Sequence, residues 1–111
     1  MTVTVRVLIP SKIAEDAQST QYIATNVTTI IDKFTATNYS TSAASISVNL
    51  VTAADTAGTQ NIIVKTKTLQ PNETYTFPEI VGHALAPNGF ISTLASAPLS
   101  VNIRASGREI T

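Results

Sequence analysis

The chain has 111 residues and no cysteine, and its seven Lys/Arg balance its seven Asp/Glu, for a formal net charge of zero. That length points to one domain with one core, spanning 1–111. The missing cysteine excludes disulfides, thiolate metal sites and a cysteine nucleophile, and the missing basic excess removes the electrostatic footing on which nucleic-acid binders rest. Charged residues make up only 13% of the sequence, about half the usual share. Polarity comes instead from Thr, Ser, Asn and Gln, and a weakly charged skin of this kind favours association with neighbours.

The strongest pattern along the chain has period two. Val3, Val5, Val7 and Ile9 alternate with Thr2, Thr4, Arg6 and Leu8, which predicts a strand with one buried and one wet face. The N-terminus lacks a basic segment followed by an apolar run, so no signal peptide is expected. No window approaches the length of a membrane span, so no membrane partner is expected either. Residues 11–18, SKIAEDAQ, place Ser11 as a candidate helix cap and Glu15 and Asp16 in the early turns. The segment is too short to stand alone as a helix, so a turn or loop is expected.

Further strands follow at 22–25, at 28–38 with Ile30 and Phe34 as inward anchors, and around Ile46, Val48 and Leu50. Others are read at 61–69, at 74–77 with Tyr75 and Phe77 sharing a face, and at 90–95, where either Phe90, Ser92 and Leu94 or the opposite set faces inward. Leu99, Val101, Ile103 and Ala105 mark the last strand. Turn residues at 38–42, 57–59, 70–73 and 87–89 separate these runs at roughly ten-residue spacing, the signature of an antiparallel sandwich or barrel. The fold class is therefore all-β, a single antiparallel β-sandwich of about seven or eight strands.

Chemistry-bearing residues are sparse. His83 is the one histidine. Glu79 lies four residues upstream, but in a loop that spacing implies no shared face, so the expected role is capping a turn or bonding a backbone carbonyl. Asp16, Asp32 and Asp55 are scattered, with too few ligands nearby for zinc or calcium. There is no G-x-S-x-G elbow, P-loop or dinucleotide fingerprint. No catalytic residue, cofactor or metal is therefore assigned. Three N-x-[ST] sequons, at Asn26, Asn38 and Asn72, are no more than a chain so rich in Ser, Thr and Asn produces by chance. Lys65 and Lys67 read as charges that block an edge strand from unwanted pairing.

One resemblance stands beside this reading. The segments FTATNYSTSAASISVNLV (34–51), TKTLQPNETYTFPEIVGHALAPNGFISTLASA (66–97) and LSVNIRASGREI (99–110) run in order as strand, T-N-x-S turn, β-branched strand, P-N-E-T-Y-T, P-E-[IV]-[IV]-G, P-x-G turn and closing strand. This resembles small immunoglobulin-like β-sandwich virion proteins of tailed bacteriophages. The resemblance implies a structural, non-enzymatic subunit, placed as capsid decoration or cement or at the neck or tail. It implies contacts with capsid, portal or tail proteins, in symmetry-related copies or as a homo-oligomer. It also implies residence in the virion after synthesis in the host cytoplasm.

Residues 1–27 lie outside the resemblance and are read as an N-terminal assembly arm or an extra strand, one that pairs with its own sheet or adds to a neighbour's edge. The candidate assembly contacts are Val3, Val5, Arg6, Val7, His83 and Tyr39. The alternative is a carbohydrate- or cell-surface-binding module. Its aromatic platform would come from Tyr22, Tyr39 or Tyr75, with Tyr39 in a turn as the most exposed of the three.

Overall fold

The β-branched alternation produces strands throughout and no helix. A computed structural model describes residues 1–111 and contains β1 (Val3–Ile13), β2 (Ser19–Ile23), β3 (Thr28–Asn38), β4 (Ala44–Val51), β5 (Ile62–Leu69), β6 (Thr74–Tyr75), β7 (Ala84–Leu85), β8 (Phe90–Ala95) and β9 (Val101–Ile110). Two antiparallel sheets pack face to face. One runs β1-β9-β3-β6, with β7 also on β3; the other runs β2-β8-β4-β5. The count of nine exceeds the expected seven or eight through β7, a two-residue strand with no pattern of its own in the sequence. No helix of the chain is long and apolar enough to cross a membrane.

Between the sheets lie Phe34, Phe77, Ile9, Ile31, Ile46, Leu69, Ile80, Ile91 and Ile103, all fully enclosed. Phe77 meets Phe34 edge-on at 5.0 Å and Tyr75 edge-on at 4.8 Å, the arrangement that aromatic quadrupoles favour. Tyr75 and Phe77 therefore do act together. In β8 it is Ile91, Thr93 and Ala95 that face the core, and in β9 Val101, Ile103 and Ala105.

Several sequence expectations fail, each for an identifiable reason. SKIAEDAQ, expected as a turn or loop, begins as strand: β1 runs on to Ile13, and Ala14 is drawn into the core with its N–H donated to the Val101 carbonyl. Ile30 faces outward and Ile31 inward. A β-bulge at Asp32, where Ile31 opposes Gly107 and Lys33 opposes Ser106, changes the parity between Ile31 and Phe34. Leu99 lies outside β9, 69% exposed and with φ of 52°. Residues 3, 5 and 7 were expected to be buried with Ile9; they are not, because a bulge at Leu8 shifts the register between Val7 and Ile9. Leu8 and Ile9 are then both buried, while Val3, Val5 and Val7 face solvent.

The loop around His83 is held by its backbone. The His83 carbonyl accepts from the Ile31 N–H (3.0 Å), and Gly82, at φ of 92°, donates to the Ile31 carbonyl (2.7 Å). Pro87-Asn88-Gly89 is a tight turn closed by the Gly89 N–H on the Ala86 carbonyl, with Asn88 taking the positive φ. Asn38 organises the turn after β3. It is fully buried, its Nδ2 donates to the Ser42 and Leu69 carbonyls, and its Oδ1 accepts from the Ser40 N–H and hydroxyl. Its sequon is thus used up inside the fold.

Candidate assembly edge

A two-sheet sandwich has four edges, and each unpaired edge is a template for another chain unless something blunts it. Here β5 is blunted by Lys65 and Lys67 and by a bulge at Thr66, whose φ is 58° and whose N–H bonds the Ser47 hydroxyl rather than a strand. β2 has five residues and is interrupted at Gln21. The β6/β7 edge is cut into two-residue pieces by the turn that begins at Phe77 and Pro78. Only β1 is long, at 11 residues. From Val3 to Val7 it keeps an unbroken register with β9 and contains no Lys and no Pro.

The hydrogen-bond pattern says what that edge offers. Thr2 and Thr111 exchange both backbone bonds, at 3.0 and 2.9 Å. In an antiparallel ladder such pairs alternate with pairs whose polar groups point away. Thr4 and Arg6 therefore turn their N–H and C=O groups to β9, while Val3, Val5 and Val7 turn theirs to the free side. The same three residues carry their side chains on the outer face of the sheet, where they are 52%, 81% and 48% exposed. Across that face, Val3 aligns with Ile110 and Thr28, and Val5 with Arg108, Ile30 and Ala84.

Beneath the edge, the inner face is clamped. The Tyr22 hydroxyl, reaching across from β2, donates to Glu109 Oε2 and accepts from the Thr29 hydroxyl, while Arg6 Nε donates to Glu109 Oε1 at 2.9 Å. These bonds, from Tyr22 first and Arg6 second, hold the Glu109 carboxyl below the usual carboxylate range. Burial, reinforced by Glu109, pushes the Tyr22 phenol up to about 12. On the outer face, Arg108 forks onto both oxygens of Asp32 at 2.9 Å each, and this holds the Asp32 carboxyl below its ordinary value. Both arginines nearest the valines are thus answered within the chain.

The clamp gives a pH-dependent prediction. Glu109 is charged in the fold and its carboxylate is 16% exposed. Replacing it with Gln should lower stability by about 1–2 kcal/mol at neutral pH, since bonds to a charged group are lost. A depressed carboxylate pKa stabilises the fold above the unfolded value, and that contribution is lost as pH falls through the folded value. Urea unfolding of wild type and Glu109→Gln should therefore differ at pH 7 and converge in acid. A gap that persists in acid would assign the effect to packing instead.

The sequence-derived contacts are only partly gathered. Val3, Val5, Val7 and Arg6 share the edge, with Arg6 on its inner side. His83 adjoins β7, on the far side of the same sheet, and is exposed with no side-chain hydrogen bond. Tyr39 follows the other end of β3, about 30 Å away at 3.3 Å per residue. Of the tyrosines, Tyr22 is part of the clamp and Tyr75 is covered by Lys67 at 4.3 Å from its ring and bonded to Glu79. Tyr39, 46% exposed, stands alone. Sequence reasoning missed Thr29 and Glu109 and gave Tyr22 only as a candidate aromatic platform; Tyr22 and Glu109 lie 87 residues apart, and no local pattern links them. No three His, Asp or Glu side chains gather where they would share a metal ion. The one surface depression is shallow, lined by Ala43, Ala44, Ser45, Thr68 and Ser96. No protein family, curated protein or solved structure matches this chain.

Proposed function

We propose that this chain is a structural, non-enzymatic subunit of a tailed-bacteriophage particle, held in place by protein contacts at the β1 edge. One observation carries the contact: three edges of the sandwich are blunted, and the fourth presents unpaired backbone groups beside exposed valines. The resemblance of segments 34–51, 66–97 and 99–110 to phage virion sandwiches supplies the setting. Strand addition of this kind takes its affinity from main-chain bonds and its specificity from alternate side chains. With net charge zero, long-range steering is weak, so attachment should tolerate salt.

The test is incorporation into particles. Because Leu8 and Ile9 are core residues, deleting residues 2–9 would confound folding with assembly, and a point change serves better. Val5→Asp, at the most exposed of the three valines, should leave the unfolding midpoint unchanged. It should also reduce the chain in gradient-purified particles at least tenfold by quantitative mass spectrometry, a loss equivalent to about 1.4 kcal/mol. Full incorporation of the variant, or absence of the wild-type chain from particles, would sink the reading.

A further inference from the structure

We infer that the occupant of the β1 edge is a second copy of this chain, paired antiparallel about a two-fold axis at Val5. This rests on the reading of β1 as an assembly edge. The free polar groups belong to Val3, Val5 and Val7, so an axis at Val5 sets Val5 against Val5 and Val3 against Val7 of the second copy. All three residues then become hydrogen-bonded pairs. On the inner face Arg6 meets Thr4 of the second copy, so no like charges stand directly opposite. An axis one residue later would set Arg6 against Arg6. One residue earlier, Val7 would face Met1, outside the strand.

Charge and shape favour a copy over a different partner. Arg6 is neutralised by its own Glu109 and Arg108 by its own Asp32, so β1 itself offers no unanswered charge at its edge; the nearest unpaired cation, Lys33, stands two strands inward in the Val7–Ser106 row. A chain of zero net charge does not repel itself. On the outer face the valine rows of the two copies become neighbours, giving six valines across the junction. The bulge at Leu8 and Pro10 beyond it end the regular edge, and a two-fold contact closes on itself rather than growing a fibre.

Three measurements on the full chain decide the matter. Sedimentation equilibrium over micromolar to about 100 µM should show a species of twice 11.7 kDa. Val5→Lys should raise the dissociation constant at least tenfold without moving the unfolding midpoint. Val5→Cys should oxidise rapidly to a covalent dimer, because paired Cα atoms at such a site lie about 5.5 Å apart, within disulfide reach. Thr56→Cys, in an exposed loop, should not.

A wild-type monomer at the highest concentration overturns the inference. So does a dimer indifferent to Val5→Lys, or equal cross-linking of the two cysteine variants. A monomer whose Val5→Asp variant is still lost from particles would assign the edge to another particle protein and leave the function standing. A dimer whose Val5→Asp variant still enters particles would remove the function and leave the pairing.

Discussion

Phe77→Ala is expected to destabilise the fold by about 3–5 kcal/mol, the range for removing a fully buried aromatic ring. A domain of this size has roughly 5–15 kcal/mol in all, and the unfolding midpoint should fall by roughly 10–20 °C. The size follows from position. Phe77 joins the edge of Tyr75 to the edge of Phe34, and its carbonyl accepts from the Ile80 and Val81 N–H groups to start the loop that ends at β7. Its φ of 46° is unfavourable for a residue with a side chain, and alanine keeps that strain while losing the packing that offsets it. A double-mutant cycle with Phe34→Ala should return a coupling of about 0.5–1.5 kcal/mol. Additive losses would mean that the rings share a core without interacting.

The part of this structure that was legible in the sequence is the part fixed by local pattern. The limits of β3 and β8 can be drawn from turn residues and β-branched runs alone, and the inward set of β9 follows from its alternation. What failed, failed at bulges. Ile30 and Phe34 lie four apart and share a face only in an unbroken strand; the extra residue at Asp32 exists because of how β9 packs beside β3, a non-local cause. The valines of β1 read as core by periodicity and became surface through the bulge at Leu8. Strand order, which makes β1 an edge, is not a local pattern. Neither is the clamp beneath it, since Tyr22, Thr29 and Glu109 meet only once both sheets are in place.

Those two bulges meet at Ser106 of β9. The Leu8 bulge lies opposite the step from Ser106 to Ala105, and the Asp32 bulge opposite the step from Gly107 to Ser106. Beside them Gly107 is buried, and a Cβ built on it would clash with the Ile30 carbonyl oxygen and lie 2.8 Å from Leu8 Cδ1. The first of these atoms is backbone in a paired strand and cannot swing aside. Gly107→Ala should therefore destabilise the fold by about 3 kcal/mol or more, the upper part of the overpacking range.

Gly58→Ala is the matching control. There the added carbon meets only the side chain of Gln60, a flexible and exposed group, and stability should stay within about 0.5 kcal/mol of wild type.

The consequence reaches the β1 edge. Residues 3–7 of β1 pair with residues 106–110 of β9, Arg6 directly opposite Gly107. If β9 shifts to relieve the clash, the Thr4 and Arg6 amides, which bond β9, should lose hydrogen-exchange protection before those of β4 and β8. Equal protection throughout, with an unchanged unfolding midpoint, would show that the bulges absorb a methyl group. The valine edge would then owe nothing to the glycine beneath it.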